Sequence, residues 1–66
     1  MKRRFNYDLH KKLLDQGIRQ KDLGTMVGLH QSTVSTIIHG AFIPNERTKL
    51  KIAKALGCPM QEIFKD

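Results

Sequence analysis

Cysteine, aromatic residues and long apolar runs are all scarce in this chain, and each shortage excludes something. Cys58 stands alone, so no internal disulfide can form, and the fold must be held by packing, as in a reducing cytosol. Aromatic residues supply 6% and hydrophobic ones 39% of 66 residues. A chain this short buries only about 60% of the surface its unfolded form exposes. Nearly every apolar side chain is therefore needed for one core, which leaves little room for a deep catalytic cavity. No apolar stretch nears the ~20 residues of a membrane span. The opening MKRRFNYD has no apolar signal-peptide core. Repeats, low-complexity tracts, linkers and clear strand patterns are likewise missing. The expectation is one small domain over residues 1–66, soluble and cytoplasmic.

Charge is present but unevenly placed. The formal charge is +6, from 12 Lys and Arg against 6 Asp and Glu. Residues 1–21 hold seven bases and two acids, net +5; residues 22–44 hold Asp22 and no base; residues 45–66 are net +2. A neutral middle rich in hydroxyls and amides thus lies between two basic arms. A polyanion is the natural partner for such arms, with plain solubilising charge as the bland alternative. No segment pairs a Lys-rich face with a wide apolar one, as a membrane-surface helix requires.

Apolar spacing and punctuation divide the chain into helices. Asn6 is placed to cap a first helix reaching Gln16, with Asp8 at its positive end and Leu9 and Leu13 four apart. Gln20 to Val27 reads as a second, with Leu23 and Val27 on one side and Gly28 as its stop. Gln31 to His39 reads as a third, carrying Val34, Ile37 and Ile38. Asn45 caps a fourth whose buried face is expected to be Leu50, Ile52, Ala53 and Leu56, ended by Gly57. Pro59 starts a last turn, Met60 to Phe64, that closes the core. Short helices with short connections make an all-α bundle.

The second and third helices are joined too tightly to lie antiparallel, which is the arrangement of a helix-turn-helix unit. Counted from Gln20, apolar residues fall at the fourth, eighth, tenth, fifteenth and eighteenth places: Leu23, Val27, Leu29, Val34 and Ile37. Gly24 stands where the two helices press together, and Gly28 where the chain turns sharply and positive φ is wanted. With these positions agreeing at once, QKDLGTMVGLHQSTVSTIIHG resembles the core motif of the lambdoid repressor/Cro-type helix-turn-helix regulators. The tail IPNERTKLKIAKALGCPMQEIF is similar to that family's closing helices. The resemblance spans roughly residues 18–64.

That resemblance implies a lambda repressor-like all-α domain that binds double-stranded DNA with the third helix in the major groove. By position it implies base reading by Gln31, Ser32, Ser35 and Thr36. Gln20, His39 and Asn45 fall at phosphate-contacting places; from charge rather than resemblance, Arg19 and a basic N-terminal arm of Lys2, Arg3 and Arg4 are expected to add phosphate contacts. The chemistry agrees: Gln pairs in bidentate fashion with adenine, and Ser and Thr hydroxyls adapt to either partner. Three features depart from the pattern. Arg19 and His30 replace the usual small caps before the second and third helices, leaving frayed ends or extra phosphate contacts. Glu46 and Lys49 stand in places that are often apolar.

Other chemistry has less support. Ser35 and His39 lie four apart but lack a third group to orient them as nucleophile and base. His10, His30, His39 and Cys58 lack paired-ligand spacing, so no metal, cofactor or small-molecule ligand is expected. Phe42 reads as a core plug, a dimer contact or a wedge against the DNA backbone. The expectation is a non-enzymatic, Cro-like transcriptional repressor, bacterial or phage, acting as a homodimer on a two-fold operator. An antitoxin or coregulator using the fold for protein contact is the chief alternative, and a structured-RNA binder a third.

Overall fold

Apolar spacing places five helices, and five are found among the described residues, with no strand. The computed structural model describes residues 5–64, so the arm residues Lys2, Arg3 and Arg4 lie outside the described residues. The helices are α1 (Tyr7–Gln16), α2 (Gln20–Val27), α3 (Gln31–Ile38), α4 (Glu46–Leu56) and α5 (Met60–Ile63). The third helix stops one residue short of the expected His39, which instead caps it with φ −76° and ψ −3°.

The helix starts follow from local hydrogen bonding. Asn6 Oδ1 accepts from the Leu9 N–H at 3.0 Å, and Asn45 Oδ1 from the Thr48 N–H at 2.9 Å. A side-chain oxygen there satisfies a main-chain donor that has no partner within the helix. Arg19 has no acceptor to offer, and α2 begins without a side-chain cap. The Asp22 carboxylate turns back to the Arg19 N–H at 3.4 Å instead. His30 corrects the expectation of a lost cap. Its Nδ1 accepts from the Ser32 N–H at 3.1 Å, taking over the task of the missing small residue.

The core is drawn from every helix: Leu9 and Leu13, Leu23, then Val34, Ile37 and Ile38, Ile52, Ala53 and Leu56, and Ile63. Each large aliphatic side chain so buried contributes about 1.5–3 kcal/mol. Leu50 does not join them; it is 47% exposed. The reason is register. Ile52, Ala53 and Leu56 complete an i, i+3, i+4, i+7 stripe that begins at position 49, not 50. Lys49 therefore faces inward, half-buried, with its ammonium 5.8 Å above the centre of the Phe64 ring. Its stem covers apolar surface while its charge stays at the edge. Cys58 is half-buried against the core, and burial pushes its thiol pKa up.

Polar ties hold α1 against α3, α4 and α5. Asn6 Nδ2 donates to the Ile63 carbonyl at 2.7 Å, and its main-chain N–H to the Ile38 carbonyl at 2.6 Å. Gln16 Nε2 donates to the Leu56 carbonyl at 2.7 Å. Lys12 Nζ meets Glu62 at 2.8 Å, and that hydrogen bond raises the Lys12 pKa. Asn6 thus joins the start of α1 to the ends of both α3 and α5. The Phe5 ring meets the His39 ring edge-on at 5.2 Å.

Candidate nucleic-acid interface

The joint between α2 and α3 is set by two glycines with different tasks. A Cβ on Gly24 would sit 2.5 Å from the Leu29 carbonyl oxygen, so only glycine lets the turn lie this close. The Leu29 N–H closes the turn on the Gly24 carbonyl at 2.8 Å. Gly28 has φ 76°, a left-handed conformation that is costly for residues with a Cβ. With Val34, Ile37 and Ile38 turned to the core, the helical repeat puts Ser32, Ser35, Thr36 and His39 on the other side of α3, while Gln31, in line with Val34 and Ile38, is exposed as the first residue of the helix. Gln31, Ser32, Thr36 and His39 are exposed and Ser35 is half-buried. No Lys, Arg, Asp or Glu lies in α3.

Hydrogen-bond partners fix where the protons of this face lie. A main-chain N–H can only donate, so His30 Nδ1, which accepts from the Ser32 N–H, is unprotonated. The Ser32 hydroxyl, 2.8 Å from the same nitrogen, must then be the donor. A carbonyl can only accept, so the Thr36 hydroxyl donates to the Thr33 oxygen at 2.7 Å. By the same reasoning His39 Nδ1 carries a proton, which it gives to the Ser35 carbonyl at 2.7 Å. The Ser35 hydroxyl lies 3.4 Å from that nitrogen and keeps its own hydrogen free.

The positions expected to meet phosphate fall on three helix ends. Arg19 and Gln20 open α2, Arg19 exposed and Gln20 half-buried. Asn45 opens α4; its side-chain oxygen is committed to the cap, leaving its NH2 outward as a donor. His39 closes α3, and with Nδ1 holding the proton its Nε2 is an acceptor in the neutral ring. His30, expected to leave a frayed end or to add a phosphate contact, caps α3 instead. Its Nδ1 is held inward and its Nε2–H is the free donor. The signal was legible in principle, since a histidine two residues before a serine can cap as Asn or Asp does.

Phe42 is 51% and Ile43 79% exposed, which removes the core-plug reading of Phe42. Both sit in the loop after α3, where the Ala41 and Phe42 N–H groups fold back onto the Thr36 carbonyl at 2.9 and 3.3 Å.

The Helix-turn-helix family profile matches residues 9–63. Among curated proteins, the chain is similar to the uncharacterized HTH-type transcriptional regulator YgzD of Bacillus subtilis (strain 168). The identity is 38% over 48 residues, covering 73% of this chain and 73% of that protein. No helix among the described residues is long and apolar enough to cross a membrane. The chain belongs to the helix-turn-helix family of lambdoid repressor/Cro-type, DNA-binding transcription regulators, which are not enzymes.

Proposed function

We propose that the chain is a repressor that occupies a two-fold operator as a homodimer inside the cell. The observation that carries this reading is the outward face of α3, polar and free of formal charge beside a wholly apolar inner face. Such a face offers hydrogen-bond donors and acceptors to base edges and no Lys or Arg to neutralise phosphate. Gln31, Ser32, Ser35 and Thr36 would read bases, while Arg19, Gln20, Asn45 and His39 would hold the backbone, joined by Lys2, Arg3 and Arg4. One module of this size offers too little surface for high specificity, so two copies reading half-sites about 34 Å apart are required. The exposed Phe42, Ile43 and Leu50 supply apolar surface for a second copy.

Selection of sites from random duplex DNA at two salt concentrations tests this. Enrichment of an inverted repeat with adenine under Gln31 supports the dimeric operator reader. Retention only at low salt with nothing enriched would overturn it and favour the coregulator reading. Repression itself is checked by placing the selected site over a promoter: reporter output falls if occupancy blocks transcription and rises if the protein activates.

A further inference from the structure

The hydroxyls of α3 are not equivalent, although the sequence writes them alike. A hydroxyl has one hydrogen and two lone pairs. Ser32 spends its hydrogen on His30 Nδ1 at 2.8 Å, and Thr36 spends its own on the Thr33 carbonyl at 2.7 Å. Both then present only lone pairs outward, and Thr36 a methyl group besides. Ser35 retains its hydrogen, because the nearest nitrogen, His39 Nδ1, is itself a donor.

We propose that Ser32 and Thr36 read the operator only as hydrogen-bond acceptors, so that the bases beneath them carry exocyclic amino groups, and that His30 is the positioning residue that imposes this on Ser32. In the major groove such groups are the N6 amino of adenine and the N4 amino of cytosine. Guanine O6 and thymine O4 are acceptors, and would face lone pair against lone pair. Ser35 can serve a keto oxygen, and Gln31, with both groups, can pair with adenine. The face thus carries a fixed donor and acceptor pattern set by bonds within the helix and its cap. This inference rests on α3 being the base-reading helix.

The test begins with wild-type protein and its selected site. Ser32→Ala and Thr36→Val each mark the base pair at which preference collapses; the valine keeps the methyl group and removes only the oxygen. At each marked pair the amino group is then deleted, with purine replacing adenine or 2-pyrimidinone replacing cytosine. Affinity is expected to fall about fivefold, as for one lost hydrogen bond, and deleting the partner base's keto oxygen is expected to do nothing. His30→Ala releases the Ser32 hydrogen, so the preference for amino over keto at the Ser32 pair should vanish while that at the Thr36 pair stays. Should this variant fray the helix, both preferences weaken together, and the base analogues on wild-type protein still decide. Guanine or thymine enriched under Ser32 and Thr36, with affinity lost on removing the keto oxygen, would overturn the proposal alone. If neither Ser32→Ala nor Thr36→Val changes preference at any pair, the proposal falls, and the base-reading assignment of α3 falls with it only if Gln31→Ala and Ser35→Ala leave preference unchanged too.

Discussion

The two ends of α3 carry the same residue in opposite states. At the start His30 accepts through Nδ1 from the Ser32 N–H, and at the end His39 donates through Nδ1 to the Ser35 carbonyl. The helix imposes this, since its first turn leaves N–H groups without partners and its last turn leaves carbonyls. A histidine folded back onto either end adopts the tautomer that end demands, and its outward nitrogen takes the opposite character. The outward nitrogen of His30 is therefore a donor and that of His39 an acceptor. Their surroundings differ too: the His30 end rests on the tight turn at Gly24, the His39 end on Asn6 and the Phe5 ring.

The sharpest way to break that comparison is to disturb the supports one at a time. Gly24→Ala puts a methyl 2.5 Å from the Leu29 oxygen, and the obstruction is main chain, which cannot swing aside. The cost should reach about 3 kcal/mol, the upper end for overpacking, read as a lowered denaturation midpoint. The displacement falls on the turn before His30, so the amide signals of Ser32 and Thr33 should move more than that of His39. Asn6→Ala acts at the other end. It removes the cap on Leu9 and the bond to the Ile63 carbonyl, together worth about 2 kcal/mol. Hydrogen exchange should then quicken at the main-chain N–H of position 6, held by the Ile38 carbonyl, and in α5, with α2 least affected. Equal acceleration in α2 and α5 would sink the idea that Asn6 acts locally.

How much of this was legible follows from which physics is local. Helix periodicity and Asn or Gly at element ends depend on neighbours in sequence, so Asn6, Asn45 and the bounds of α1, α2 and α4 could be read directly. Leu50 misled because hydrophobicity was weighed above register; the stripe through Ile52, Ala53 and Leu56 begins at Lys49. The tie from Asn6 to Ile63 spans 57 positions, and nothing near Asn6 announces it. The candidate site divides likewise. The resemblance to helix-turn-helix regulators singled out Gln31, Ser32, Ser35 and Thr36 on α3. It could not tell that two of these hydroxyls are spent, since that depends on rotamers and on the His30 tautomer.

The opposed histidines make a smaller prediction, about stability at one pH. His30→Ala removes the acceptor for the Ser32 N–H and should cost about 1 kcal/mol, while His30→Asn keeps a side-chain acceptor there and should cost less. His39→Phe keeps a ring against Phe5 and removes only the Nδ1 donor to the Ser35 carbonyl. The His39 main-chain N–H still reaches that oxygen at 2.9 Å, so no group is left without a partner and the cost should fall below that of His30→Ala. Denaturation midpoints of the three variants check this. Equal losses for His30→Ala and His39→Phe would show that the start of α3 depends on its histidine no more than the end does, and His30→Asn no better than His30→Ala would remove His30 from the cap.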